Sequence, residues 1–181
     1  MSTMSFKEFF QTEVKSALMK ELGLKNSFAV PNLVKVVLNV GAGEAVTNKN
    51  VIAKIQEQIS LIAGQKAVIT KARKSVSAFK IREGLPIGVK VTIRGNRMYE
   101  FLQKFITIVI PRLRDFKGID DSAVDAHGNL NIGFTEQTLF PEIEYDKVDK
   151  LRGLQITVVT TAKDKKKGRL LFEKLGIVFK K

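Results

Sequence analysis

Apolar residues recur at three- and four-residue steps from Met4 to Leu22, through Phe6, Phe9, Phe10, Val14 and Leu18, which predicts an amphipathic helix. Ser5 with Glu8 makes a capping-box pattern at its start, and Gly23 supplies a stop. Residues 33–40 alternate instead. Val34, Val36, Leu38 and Val40 share one side of a strand, and Leu33, Lys35, Val37 and Asn39 the other. Gly41-Ala42-Gly43 turns the chain into a second helix with Ile52, Ile55, Ile59 and Ile62 in register, stopped by Gly64. A short strand at 66–70 leads into a long loop at about 71–88, punctuated by Gly84, Pro86 and Gly88. The strand at 89–94 turns Val89, Val91 and Ile93 inward and Lys90, Thr92 and Arg94 outward. A third helix, capped by Asn96, carries Met98, Phe101, Leu102, Phe105 and Val109 and ends before Pro111. Residues 112–128 and 139–153 read as irregular, 129–135 and 154–162 as strands, and a last helix runs from about Lys165 to Leu175.

Three strands carry the main structural inference. In segments 33–40, 89–94 and 129–135 every side chain on one face is apolar, whereas on the other face only Leu33 and Val37 are. Alternation this clean describes a sheet covered on one side and open on the other; a fully parallel sheet would be buried on both. The expected fold class is therefore α+β: a mostly antiparallel sheet with amphipathic helices covering one face and the other face left open. The chain reads as a single domain over residues 1–181. Its open face is expected to display Lys35, Asn39, Lys90, Thr92, Arg94, Asn129 and Asn131.

Composition narrows the function. The 181 residues contain no Cys, no Trp and one His. A disulfide framework, a zinc knuckle, thiol chemistry and a multi-His metal site within one chain are excluded. No apolar run is long enough to span a bilayer. The N-terminus lacks a signal-peptide core, and Glu8, Glu13 and Glu21 argue against a transit peptide, so a cytoplasmic location is expected. Lys and Arg number 31 against 18 acidic residues, a net charge of +13. That excess bears on partners rather than on fold. It is also segregated: net +2 over 1–64, +8 over 65–97, −3 over 98–162 and +6 over 163–181, counted along the chain. Two basic zones beside an acidic one suggest an RNA face and a separate surface for another partner.

A polar open sheet beside a basic loop suits RNA. Cations attract phosphates, and Asn and Thr reach base edges and 2′-hydroxyls. The face has no aromatic side chain, so recognition of a structured RNA by shape, sugar and phosphate is expected. The loop places Ala72, Ser75, Ser77, Ala78 and Phe79 among Lys71, Arg73, Lys74, Lys80 and Arg82, small residues that let backbone approach phosphate. Other motifs are weak. Gly41-Ala42-Gly43 begins like a dinucleotide fingerprint, but Val46 stands at the third glycine position. Asp115, Asp120, Asp121 and Asp125 fit no metal-loop spacing and read as a solvated acidic segment. Asp125-Ala126-His127-Gly128-Asn129 reads as a turn. Neither metal nor cofactor is expected. The competing readings are an RNA-processing or RNA-modifying enzyme, which lacks an acid–base pair here, and a membrane-surface binder, disfavoured by Glu on the polar helix faces.

Several stretches then resemble one family. They are Val36-Val37-Leu38-Asn39-Val40-Gly41-Ala42-Gly43-Glu44-Ala45, Gly64-Gln65-Lys66, Thr70-Lys71-Ala72-Arg73-Lys74-Ser75 and Phe79-Lys80-Ile81-Arg82-Glu83-Gly84. Pro86-Ile87-Gly88, Lys90-Val91-Thr92-Ile93-Arg94-Gly95, Pro111-Arg112-Leu113-Arg114-Asp115-Phe116-Lys117-Gly118, Phe140-Pro141-Glu142-Ile143 and Thr160-Thr161-Ala162-Lys163 follow. Nearly end to end, the chain resembles the bacterial-type large-subunit ribosomal protein five family, the universal 5S-rRNA-binding ribosomal proteins. The resemblance implies a non-catalytic constituent of the central protuberance, with 5S rRNA, other large-subunit rRNA and ribosomal proteins, peptidyl-site tRNA and a small-subunit head protein as partners, and no membrane. It carries amide and hydroxyl contacts to 5S rRNA onto Asn39, Gln65 and Thr92, flanked by Lys35, Lys66, Lys90 and Arg94. It implies a tRNA contact for the loop, through Lys71, Arg73, Lys74, Ser75, Ser77, Lys80 and Arg82. It places the small-subunit contact between Arg112 and Asp149, at Arg112, Arg114, Asp115, Glu142, Glu144 and Asp146. Two departures stand out. Asp125-Ala126-His127-Gly128-Asn129-Leu130 replaces the family's usual Asp-Gly-Arg-Gly-Asn-Tyr turn, and Lys165, Lys166 and Lys167 stand where the family is often acidic, so the last helix is a candidate for direct RNA contact.

Overall fold

Helix α1 (residues 6–21) starts where Ser5 caps it: the Ser5 hydroxyl accepts from the Glu8 N–H, and the Glu8 carboxylate accepts from the Ser5 N–H at 2.9 Å. It ends in a Schellman arrangement at Gly23 (φ +62°), whose N–H donates to the Lys20 carbonyl while Leu24 N–H donates to that of Met19. The computed structural model describes residues 5–48, 50–113, 116–144 and 148–180, so Met4, the predicted first residue of this helix, lies outside the described residues.

Five strands form: β1 (Leu33–Gly41), β2 (Val68–Lys71), β3 (Pro86–Ile93), β4 (Leu130–Phe134) and β5 (Leu154–Thr160), and the alternation expected for β1 holds from Val36 onward, since Leu33 is buried and Val34 only half-buried. They form an antiparallel sheet in the order β2-β3-β1-β5-β4, and with helices α2 (Asn50–Ala63), α3 (96–109) and α4 (Lys165–Lys174) they give the expected α+β class. The chain divides into two compact units, residues 1–36, 94–132 and 157–181 in the first and 37–93 and 133–156 in the second.

The first unit buries Phe10, Leu18, Leu102, Phe105 and Phe172 almost completely. Phe10 packs on Tyr99 with ring centroids 5.6 Å apart, joining α1 to α3. Both helices contain a π-helical turn, Phe10–Val14 in α1 and Phe105–Val109 in α3, and in each the first and last residues of the turn are buried. In α1, Thr12 and Ser16 hydroxyls donate to carbonyls four residues back, as Thr107 does in α3. The first residue of α3 differs from expectation. Gly95 (φ +62°) is the cap, and the Asn96 carboxamide oxygen instead accepts from Lys7 Nζ at 2.9 Å.

In the first unit the turn before β4 is also drawn tight. Asp125 accepts from the backbone N–H groups of His127 and Asn129 and from the Asn129 side chain, as the predicted turn requires. Gly128 (φ +78°) then lies against α4. A Cβ on Gly168 would stand 2.5 Å from the Gly128 carbonyl oxygen, so the two backbones meet with no side chain between them.

In the second unit α2 packs on β3, with Ile55, Ile59 and Ile62 from the helix and Leu38, Val89, Val91 and Ile93 from the strands all buried. The strand predicted from residue 66 starts later, at Val68. The reason is that Ala67 is held by helix side chains: Ser60 Oγ accepts its N–H at 2.9 Å and Gln56 Nε2 donates to its carbonyl at 2.7 Å.

Candidate nucleic-acid interface

Within the second unit the β2–β3 pairing sets Val68 opposite Lys90, Ile69 opposite Val89 and Thr70 opposite Gly88. Facing residues of an antiparallel pair share a side, so Val68, Thr70, Lys90 and Thr92 lie opposite the buried row Val89, Val91 and Ile93. Lys90 is exposed and Thr92 half-buried. On β1 the same alternation leaves Asn39 exposed between buried Leu38 and Val40. Gly88 is required here. A Cβ would lie 2.8 Å from Thr70 Oγ1 and 2.9 Å from the Val40 carbonyl oxygen, so only glycine lets β2, β3 and β1 close up at this point.

Gln65, whose facing the sequence left open, is brought to this face. Gly64 (φ +62°) ends α2, the Ala67 bonds fix the segment that follows, and Gln65 Nε2 reaches the Thr92 carbonyl at 3.4 Å. Lys66, beside it, is exposed. The second unit therefore sets Gln65 against Thr92, with Asn39, Lys66 and Lys90 exposed. Of the two remaining predicted rRNA contacts, both in the first unit, Lys35 is half-buried on β1 with the parity of Asn39, and Arg94, one residue past the end of β3, is exposed.

Two residues expected on the open face are otherwise engaged. Asn129 Oδ1 accepts from the Thr160 N–H at 3.0 Å while its amide donates to Asp125, and Asn131 Oδ1 accepts from Thr157 Oγ1 at 2.8 Å. Asn131 keeps its outward parity and pairs there with Thr157, which lies opposite the buried row Ile156 and Val158 of β5, while Asn129, just before β4, is tied to the β5 backbone. Alternation places a side chain on a face but does not reveal a cross-strand partner.

The predicted loop is shorter and more ordered than expected. β3 begins at Pro86, and residues 72–85 form a second hairpin beyond β2 and β3. Ala72 N–H donates to the Leu85 carbonyl at 2.8 Å, Val76 and Ile81 pair at 2.9 and 3.1 Å, and Ser75 Oγ accepts the Glu83 N–H at 3.0 Å. The tip is the 3-10 turn Ser77–Phe79 followed by Lys80 in a left-handed conformation (φ +54°). Lys71, Arg73, Lys74, Ser75, Ser77, Lys80 and Arg82 are all exposed, and Phe79 at the tip is 72% exposed.

Charge pairing separates the cations into two groups. Lys54, Lys150, Arg152, Lys165, Arg169, Lys174 and Lys180 each have a carboxylate within ion-pair distance. Among the described residues, none of Lys35, Lys66, Lys71, Arg73, Lys74, Lys80, Lys90 or Arg94 has one. The acidic segment is correspondingly spent. Asp121 takes Lys165 at 2.8 Å and Arg169 at 3.0 Å, Asp120 takes Lys180 at 2.7 Å, and Asp125 holds its turn. Asp120 and Asp121 thus keep the solvent exposure expected of them, their side chains 63% and 46% exposed, and add ion pairs to it. The Lys165 and Arg169 contacts hold the Asp121 carboxyl below its usual range. No metal-holding cluster of His, Asp and Glu occurs among the described residues.

One constellation had no sequence signal. Arg152, only 7% exposed, donates through Nε to Glu44 Oε1 at 2.6 Å and through Nη1 and Nη2 to Asp149 at 2.8 and 3.2 Å. Buried Gln137 closes the ring, accepting the Arg152 N–H and donating to the Lys150 carbonyl. The Arg152 side-chain bonds depress the Asp149 pKa to about 2 and lower that of Glu44 as well. This clip fixes segment 137–152 to the turn after β1. Of the residues expected to meet the small subunit, Glu142 and Glu144 are exposed in the second unit, beside a groove of about 230 Å³ floored by Leu61 and Ile143. Arg112 is exposed in the first unit, and Arg114, Asp115 and Asp146 lie outside the described residues.

Comparison with known proteins decides the family. Residues 26–82 match the model for ribosomal protein L5, and residues 86–179 match the model for the C-terminus of the same ribosomal family. The chain belongs to the ribosomal L5 family. Curated relatives include the large ribosomal subunit protein uL5 of Roseiflexus sp. (strain RS-1), 51% identical over 96% of this chain and 97% of that protein. That of Desulfotalea psychrophila is 48% identical over 98% and 99%, and that of Fervidobacterium nodosum 52% identical over 97% and 95%. The L5-family chain described here is accordingly a constituent of the large ribosomal subunit. No helix among its described residues is long and apolar enough to cross a membrane.

Proposed function

We propose that this chain attaches 5S rRNA to the large subunit in the central protuberance, with Asn39, Gln65 and Thr92 as the polar contacts and Lys35, Lys66, Lys90 and Arg94 as the phosphate contacts. The observation that carries the reading is the division of the cations. Those of the polar face and of the 72–85 hairpin have no carboxylate partner among the described residues, whereas Lys165 and Arg169 on α4 and the cations around Arg152 do. Unpaired cations beside amides and a hydroxyl favour a polyanion with hydrogen-bonding edges. The hairpin, with Lys71, Arg73, Lys74, Ser75, Ser77, Lys80 and Arg82, reaches toward the peptidyl-site tRNA. Arg112, Glu142 and Glu144 belong to the contact with a small-subunit head protein, as do Arg114, Asp115 and Asp146.

Filter binding to 5S rRNA and to an unrelated RNA of equal length, across a salt series, tests this. Four phosphate contacts predict a slope of log K against log salt of about −3 for this face. Asn39→Ala, Gln65→Ala and Thr92→Ala should each weaken 5S binding by about 1–3 kcal/mol. Arg73→Gln with Lys74→Gln should leave 5S binding intact and weaken peptidyl-site tRNA binding to assembled ribosomes. Equal affinity for both RNAs, or unchanged binding in all three alanine variants, removes the 5S assignment.

A further inference from the structure

Within the second unit the chain leaves β4 at Phe134 and enters β5 at Leu154, and side chains near the two ends of that excursion bond to each other. Gln137 accepts the Arg152 N–H and donates to the Lys150 carbonyl at 2.8 Å. Arg152 Nη1 donates to the same carbonyl at 3.3 Å. Three polar or charged residues are buried among the described residues, and Gln137 and Arg152 are two of them. Burying such groups is costly unless each is bonded, so their concentration at one loop base asks for a purpose.

The closed loop is fastened at two further points. Glu44, in the 3-10 turn Gly43–Val46 after β1, accepts from Arg152 Nε at 2.6 Å and from Lys150 Nζ at 3.1 Å. That turn is itself held to β3, because the Ala42 N–H donates to the Ile87 carbonyl at 2.9 Å. Asp149, gripped by Nη1 and Nη2 of Arg152, also lies 3.6 Å from Lys54 on α2. All three guanidinium nitrogens are thus engaged, and the rigid fork sets direction as well as distance. Between the two ends Phe140 and Ile143 are buried, while Glu142 and Glu144 on either side of Ile143 are exposed.

We infer that Arg152 is a positioning residue for the contact with the small subunit: with Gln137 and Glu44 it holds the loop so that Glu142 and Glu144 are presented to a basic protein surface in a fixed arrangement. The inference rests on the small-subunit reading of Glu142 and Glu144 given above and supplies what holds them. Stability alone does not call for such a clip. Exchanging a buried ionic set for apolar side chains of similar volume is often neutral or stabilising, and this unit already buries Leu38, Ile55, Ile59 and Val91. Apolar packing has no directed bonds with which to orient a loop. A loop ordered in advance also avoids the entropy loss that association would otherwise exact.

Large subunits assembled with the full-length Arg152→Met chain, titrated with small subunits and followed by light scattering, test this. The dissociation constant should rise about 3- to 10-fold, the factor for a loop that keeps its arrangement a third to a tenth of the time. In the free chain, amide exchange should quicken over 137–144 and 148–152 but not in α2 or β3, and 5S rRNA binding should match the parent, which shows that the variant is folded. Arg152→Lys keeps the charge without the fork and should stay closer to the Met variant than to the parent. It also decides the matter alone if the Met variant does not assemble, since parent-like association in Arg152→Lys overturns the inference. Glu142→Gln with Glu144→Gln leaves the clip intact and should weaken association by itself. If that pair weakens association and Arg152→Met does not, the positioning role is overturned and the small-subunit reading stands. If neither does, both are overturned.

Discussion

Replacing Arg152 with Met keeps the aliphatic stem and removes the guanidinium, leaving Glu44 and Asp149 without their principal cation. Removing one partner of a buried pair costs about 3–5 kcal/mol. Here the acid side chains are 30% and 33% exposed, so water screens them, and Lys150 stays 3.1 Å from Glu44 and Lys54 stays 3.6 Å from Asp149. The expected loss is therefore about 2–3 kcal/mol, above the roughly 0–1 kcal/mol of an exposed pair. The pH dependence identifies the cause. Asp149 titrates at about 2 in the folded chain against an ordinary 3.8, its carboxylate being stabilised mainly by the Arg152 hydrogen bonds. A folded pKa below the unfolded one gives stability that is complete above pH about 4 and lost as pH falls toward 2. Glu44 is shifted the same way and adds to the same window. Urea unfolding of parent and Arg152→Met, followed by circular dichroism at pH 7 and pH 3, should show a gap that narrows at pH 3. A gap of equal size at both values would falsify the electrostatic reading and assign the cost to packing alone.

Gly168→Ala tests the contact between α4 and the turn before β4. Alanine is favoured by about 1 kcal/mol inside a helix, yet the new Cβ meets the Gly128 backbone, so a net loss of about 1–3 kcal/mol is expected, read as a lower melting temperature; a stabilised variant refutes the close approach. Gly88→Ala should likewise lower the melting temperature, and it should also weaken 5S binding because it spreads β2, β3 and β1 under the polar face; unchanged binding at full folding would separate the two. Ser5→Ala should cost about 1 kcal/mol by removing the α1 cap, seen as faster amide exchange in the first turn and not in the sheet.

Much of the fold was legible because each strand obeys one period and each helix another. The buried row Val36, Leu38 and Val40, the row Val89, Val91 and Ile93, and the capped start and glycine stop of α1 are local features that a short window contains. The π-helical turns at Phe10 and Phe105 left no trace, since the same apolar spacing serves a regular helix. Partnership was illegible for a different reason: it is set by distant segments. Asn129 and Asn131 alternate as outward residues should, yet both are spent on β5. Arg152 looks like any cation in an irregular stretch until Glu44 arrives from 108 residues away. The basic run after Asp164 makes the point most sharply. Lys165, Lys166 and Lys167 are identical in type and consecutive, but the helix turns Lys165 onto Asp121 and leaves the other two exposed and unpaired among the described residues. A count of charge therefore overstates the second basic zone as a polyanion surface, and only the cations that the fold leaves without carboxylates remain to attract phosphate.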